Sequence, residues 1–403
     1  MSIKDQINYY QEIFTAFGGL KGGGITRLLY TDEWKNAVMR LKEEMVKVGF
    51  EVEFDAVGNL FGLIKGEIDE NISTGSHIDT VVEGGELDGQ FGIVAGLIAI
   101  QNLVKKYGKP KKNLQLISLA EEEGSRFPYV FWGSKNVMGL AKKEDVENIT
   151  DKDGKKFVDE MRKCGFDFKN DNSRRKIDKF VELHIEQGNL LENLKKPIGI
   201  ITAITGQKRY DAKIIGEANH AGTTRMCYRK DAAYAYATIV KEAIEKAVSW
   251  DELLVCTFGR VSLVPNTVNV VPGVCEFSID VRHPNGEVLN AFQEWLENRM
   301  KEIAKEHSVE LEFNLWMDQK PVPMDEEVIK EIENSAKELN LDYEIMHSGA
   351  GHDSQIFAPF VPTSMIFVPS INGISHNIYE KTDIEDLIKG VELLEKVLYN
   401  LAY

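Results

Sequence analysis

In the segment SHIDTVVEGGELDGQFG, His77, Asp79 and Asp88 follow a short apolar run. Imidazole and carboxylate in one loop are donors that suit zinc or manganese. Asp79, two residues after His77, can hold the ring in one tautomer, and Asp88 offers a carboxylate able to bridge two ions. Taken alone, His77 is explained as well by a polar loop with a capping aspartate. The run SLAEEEGSRFP places Glu121, Glu122 and Glu123 at the end of an apolar strand, where three carboxylates repel one another unless cations neutralise them. An acidic run is usually a solvated helix face, but here strand residues precede it. His184 interrupts the apolar alternation of FVELHIEQG, and His376 lies in the glycine-containing loop SINGISHN after the strand TSMIFVP. A lone histidine in either place is more often a satisfied core or loop residue. Together His77, Asp88, Glu123, His184 and His376 supply three imidazoles and two carboxylates, enough for two ions that share Asp88.

The elements that must position these residues alternate between strand and helix. An amphipathic stretch, Trp34–Val48, precedes EVEFD, a Gly58-Asn59 turn and LFGLI, which predicts a helix and then a hairpin. ISTGS, the helical run Gly89–Lys106 and NLQLISLA form a β-α-β pattern, so the expected catalytic domain is a mostly parallel α/β sheet with helices on both faces. Such sheets carry their sites where loops leave the strand ends. From about Arg209 the pattern becomes β-α-β-β-α-β, the split βαβ or ferredoxin-like order. We therefore expect an inserted α+β domain at 209–321 within a catalytic domain formed by 1–208 and 322–403. Two domains also fit a length of 403 residues.

Composition narrows the function. Hydrophobic residues make up 43% and charged residues 28% of the chain, the balance of a soluble globular protein, with no apolar run long enough to span a bilayer. The start MSIKDQINYYQEIF lacks a secretory core, so a cytoplasmic location is expected. Cys164, Cys227, Cys256 and Cys275 form no C-x-x-C pair, which fits neither a disulfide framework nor a thiolate zinc site. A net charge of −16 argues against nucleic acid and anionic membranes as partners. An anionic substrate would need locally placed positive charge.

The ordered blocks SHIDT, LDGQFG, EEEGSRF, ELHIEQG, NHAGTT, PNTVNVVPG, SGAGHD and SHN run along nearly the whole chain. They resemble the dinuclear amidohydrolases that include allantoate amidohydrolases, N-carbamoyl-L-amino-acid hydrolases and β-ureidopropionases, within the aminoacylase-like metallopeptidase superfamily. GGITRLLYTDEW, LWMDQKPVPM and MHSGAGHDSQIFAP look most like the allantoate branch. The resemblance implies two divalent ions, Zn2+ or Mn2+: His77 and His184 on one, Glu123 and His376 on the other, and Asp88 between them. It makes Glu122 the general base, in keeping with adjacent strand-end residues pointing different ways. Asp79 is the supporting carboxylate, and His220 is a donor that polarises the scissile carbonyl.

The same resemblance implies a homodimer through the insert, with His220 reaching the partner's site. Asn269 and Arg282 hold a substrate carboxylate, and Gly349 and Ala350 supply backbone contacts. Gln187 and Gln207 are further candidates for the amides of a small anionic ureido substrate. A strand arginine is commonly a surface ion-pair partner and an asparagine beside proline a turn residue, but a bidentate guanidinium is the expected grip on a carboxylate. The expected reaction is hydrolysis of a ureido group of allantoate, with N-carbamoyl-L-amino-acid hydrolysis or ureidoglycolate amidohydrolysis as alternatives.

Two departures from the family pattern stand out: Arg225 after Thr223-Thr224, and Ile378-Tyr379 after SHN, where relatives usually carry proline. A nucleotide-binding reading of GGLKGGGITR fails because the run lacks the Gly-Lys-Ser/Thr ending and follows no apolar strand. A scaffold that binds metal without catalysis is disfavoured by the presence of both Glu122 and His220.

Overall fold

A computed structural model describes residues 1–168 and 174–403. The chain divides into two compact units, one made of Met1–Thr202 with Met324–Tyr403 and one of Ala203–Pro323. In the first unit, Thr31 caps the helix Asp32–Val48 by accepting the N–H of Trp34, and Gly49, at φ 102°, ends it. This helix buries Trp34, Val38, Leu41 and Met45. The hairpin β1 (Glu51–Phe54) and β2 (Leu60–Ile64) follows, its turn closed by Asp55, whose Oδ1 accepts the N–H groups of Val57, Gly58 and Asn59. Then come β3 (Ile68–His77), the buried helix Gln90–Tyr107 and β4 (Lys112–Leu119), a β-α-β unit whose strands pair in parallel. β5 (Lys179–Ile185) and β6 (Ile198–Ile204) complete this part.

The insert contains β7 (Gly206–Ile215), β8 (Asn219–His220), β9 (Val255–Thr257), β10 (Val261–Val264), β11 (Val270–Val271), β12 (Val274–His283) and β13 (Glu310–Gln319). Its antiparallel sheet runs β10-β12-β7-β13, with β9 also on β12. β12 thus lies between β7 on one side and β9 and β10 on the other. Helices Ala232–Trp250 and Gly286–Glu306, capped by Asp231 and Asn285, pack Ile239, Phe292 and Leu296 into one core with Tyr210, Ile214, Phe277 and Ile279. β8 and β11 form a separate two-stranded ribbon that the sequence pattern does not predict, because two-residue strands carry no readable alternation.

The chain returns through β14 (Val322–Pro323), β15 (Tyr343–Ser348), β16 (Thr363–Val368) and the closing helix Ile384–Ala402. The large sheet has the order β1-β2-β4-β3-β5-β16-β6-β14, with β15 on β6 and helices on both sides. Its centre, β4-β3-β5-β16, is parallel. β1, β2 and β6 pair antiparallel, so the sheet is mixed where a mostly parallel one was expected. A tight turn joining β1 to β2 admits only antiparallel pairing. The central strands nevertheless bring the loops after β3, β4, β5 and β16 to one edge of the sheet. Among the described residues, no helix is long and apolar enough to cross a membrane.

Candidate metal centre

His77 is the last residue of β3, and His184 lies near the end of β5, its parallel neighbour. Both rings are buried and lie with centroids 5.9 Å apart. Asp88 enters from the loop before the helix Gln90–Tyr107, Glu121–Glu123 from the loop after β4, and His376 from the loop after β16. The two oxygens of Asp88 face different partners. Oδ1 lies 3.4 Å from His77 Nε2 and 3.2 Å from His184 Nε2, whereas Oδ2 lies 3.3 Å from His376 Nε2. That same nitrogen is 3.5 Å from Glu123 Oε2. Ligands about 2.1 Å from a tetrahedral ion stand about 3.4 Å apart, so these separations suit two ligand groups, His77–Asp88–His184 and Asp88–Glu123–His376, that meet at one carboxylate.

Neighbouring groups orient the donors. His77 Nδ1 is 3.1 Å from the Asp79 carbonyl and 3.4 Å from its carboxylate, and Asp79 also accepts the N–H groups of Glu122 and Glu123. His184 Nδ1 is 2.9 Å from the Ile185 carbonyl; a proton on Nδ1 would leave Nε2 as the ligand atom. A Cβ on Gly89 would stand 2.4 Å from the His77 ring, so the glycine after Asp88 is what allows the close approach. The buried Oε1 of Glu123 has no hydrogen-bond partner, an orphaned acceptor that a cation would satisfy. Burial pushes Glu122 well above the ordinary carboxylate range; Glu123 adds to this and His77 opposes it. Burial, with Asp88 beside it, moves Glu123 up to about 7. Burial disfavours charge on His77, yet Asp79 and Asp88 outweigh it and hold the ring well above its usual value. The cluster therefore attracts positive charge, and its donors fit divalent ions.

Other expected contacts fall into separate groups. Gln187, at φ 59°, donates from Nε2 to Asp88 Oδ2 at 2.7 Å, while its buried Oε1 has no partner. Within the insert, His220 stands opposite Val270 on the β8–β11 ribbon, and Ala221 N–H donates to the Asn269 carbonyl. The ribbon thus joins His220 to Asn269. Gly222 N–H donates to His220 Nδ1 at 3.0 Å, which makes Nε2–H the donor of the neutral ring. Arg282 and Gln207 face each other across β12 and β7, and both donate to Asp280, Arg282 through Nε and Nη2 and Gln207 through Nε2. In this state the ion-pair role of a strand arginine is realised alongside any substrate role. Ala350 N–H is taken by the Ser348 hydroxyl, and Gly349 precedes it in the loop after β15. Arg225 is exposed beside the turn Met226–Tyr228.

Sequence reasoning missed Ser375 and Glu380, which touch Asp88 from the far end of the chain, and Arg27, fully buried on the carbonyls of Phe14, Phe17 and Ile78. No periodic signal marks any of them. Within the glycine run 22–24, Gly24 has a packing role: a Cβ there would collide with Ile378 and with the Gly84 carbonyl.

The chain matches the model of peptidase family M20/M25/M40 over residues 74–400. It is 51% identical to an allantoate amidohydrolase of Escherichia coli (strain K12), covering 96% of each chain. It is 42% identical to an allantoate amidohydrolase of Bacillus subtilis (strain 168), covering 100% of this chain and 99% of the relative. The crystal structure of an amidase of the hydantoinase/carbamoylase family from Burkholderia multivorans superposes with a TM-score of 0.95 at 30% identity, covering 99% of this chain and 98% of that one.

Proposed function

The chain belongs to peptidase family M20/M25/M40, and we propose that it is a metal-dependent amidohydrolase that cleaves one ureido group of allantoate. Water and allantoate yield ureidoglycine, ammonia and carbon dioxide, which balances all atoms. The observation that carries the reading is Asp88, whose two oxygens face separate groups of imidazole and carboxylate donors. His77, Asp88 and His184 would hold one divalent ion and Asp88, Glu123 and His376 the other, zinc or manganese. When bound, such ions activate water near neutral pH and polarise a carbonyl.

Glu122 takes the proton of the attacking water and passes it to the leaving nitrogen, a task suited to a buried carboxyl whose proton affinity is raised. Asp79 keeps the His77 ring and the Glu122 backbone in register. His220, held as the Nε2–H donor, stabilises charge developing on the carbonyl oxygen. Arg282 and Asn269 bind the substrate carboxylate; Gln187 Oε1 and Gln207 serve its ureido arms, and Gly349 and Ala350 supply backbone contacts.

We place the enzyme in the cytoplasm as a homodimer formed through the insert. That assembly is supported by exposed Val261 and Val264 on the edge strand β10, and by exposed Tyr234, Ile244 and Val248 on the helix Ala232–Trp250, since an apolar sheet edge is ordinarily covered. The choice of allantoate rests on the two allantoate amidohydrolases among the relatives. Comparing kcat/KM for allantoate, N-carbamoyl-L-amino acids and ureidoglycolate tests it. Allantoate should be turned over best, and a higher value for a carbamoyl amino acid would replace allantoate as the substrate.

A further inference from the structure

Glu380 lies four residues beyond His376 and is only 6% exposed. Its Oε1 accepts the backbone N–H groups of Leu87 at 2.9 Å and Asp88 at 3.0 Å, a contact spanning 292 residues of sequence. Its Oε2 accepts the Ser375 hydroxyl at 2.8 Å, and the same hydroxyl lies 3.0 Å from Asp88 Oδ2. Gly85 makes room: a Cβ there would stand 2.0 Å from Glu380 Oε1. One carboxylate therefore clasps the backbone of the shared ligand Asp88 to the loop that presents His376.

That loop needs a clasp. His376 adopts a left-handed backbone at φ 54° and its side chain is 48% exposed, whereas His77 and His184 are rooted in strands. Ser375 has a single proton for two carboxylate oxygens. It can donate to Glu380 when a cation occupies Asp88 Oδ2; without one, the two carboxylates compete for it.

We propose that Glu380, acting through Ser375 and the Asp88 backbone, is a positioning residue that makes the His376 half of the centre bind its ion. It touches neither substrate nor reacting atoms. The inference rests on the reading of the site as a two-ion centre and adds which residue holds its weaker half together.

The test is metal stoichiometry and affinity, measured by elemental analysis after dialysis and by zinc titration against a competing chelator. Wild type should hold two ions per chain. Glu380→Gln keeps an acceptor for the Leu87 and Asp88 N–H groups but turns an amide donor toward Ser375. It should weaken the second ion by about tenfold to a hundredfold and leave the first unchanged. Ser375→Ala, which removes no backbone contact, should weaken the same ion by a smaller factor, and it provides the reading if Glu380→Gln does not fold. Two ions of unchanged affinity in the folded variants, or equal weakening of both ions, would overturn the proposal. Fewer than two ions in wild type would instead sink the two-ion reading beneath it.

Discussion

The strand-end cluster of the large unit and the β8–β11 ribbon of the insert both present histidines for chemistry, but they do so in opposite ways. His77 and His184 are buried, each with Nδ1 beside an oxygen and Nε2 beside Asp88. His220 on the two-stranded ribbon and Asn269 just before its second strand are exposed, with the His220 tautomer set by a backbone N–H. Burial with satisfied partners makes a site rigid before any ligand arrives. An exposed donor gains strength only when another surface excludes water around it. The first region is thus assembled by folding, whereas the donor role proposed for His220 depends on enclosure, which the proposed homodimer would supply.

Several substitutions would break this contrast. The largest effect is expected from Asp88→Ala, which removes the ligand common to both halves: metal content should fall toward zero and ammonia release to background. Retention of two ions would show that Asp88 bridges nothing. Glu122→Gln should keep both ions while kcat drops by roughly 10²–10⁴-fold; if metal content falls in parallel, Glu122 is a ligand and the proton carrier lies elsewhere.

His220→Ala should lower kcat by about 10²–10³-fold. Mixing it with Glu122→Gln under subunit exchange sharpens the comparison, because a donor acting across the dimer rebuilds one intact site in each mixed pair. Recovery to about a quarter of wild-type activity is expected from random pairing, whereas no recovery would return His220 to its own chain.

Asp280→Asn should act mainly on KM, raising it several-fold with kcat little changed, because it loosens Arg282 and Gln207. An unchanged KM would detach that pair from substrate binding. Burial would raise Asp280, but hydrogen bonds from Arg282 and Arg209 outweigh it and hold the carboxyl below its ordinary value. Its folded value is thus lower than its unfolded one, so its contribution to stability is present above about pH 4 and fades as pH falls below that. Thermal melts of wild type and Asp280→Asn should converge in acid, and a gap that persists below that range would exclude this ion pair as the source.

Much of the large unit was legible because its signals are local. The strand patterns ending at His77 and Leu119, the capped helix Asp32–Val48 and the Gly58-Asn59 turn each follow from a few neighbouring residues. The direction of β6 was not legible, because pairing with β16 is chosen by a remote strand and leaves no trace in its own apolar run. The β8–β11 ribbon was hidden for the same reason. Arg282 could be read as either ion-pair partner or substrate grip, and within the insert it makes the ion pair.

The sequence alone determined which side chains are available and what they can do: three imidazoles, the carboxylates of Asp88 and Glu123, a neighbouring Glu122, and motif blocks that mark one enzyme family. Donor chemistry belongs to residue types and survives any rearrangement of the chain. Tertiary structure decided how Asp88 divides its oxygens between two ligand groups, which ring nitrogen of His220 carries the proton, and that Glu380 holds Asp88 from 292 residues away. Those outcomes depend on hydrogen bonds between segments that meet only when strands distant in sequence lie side by side.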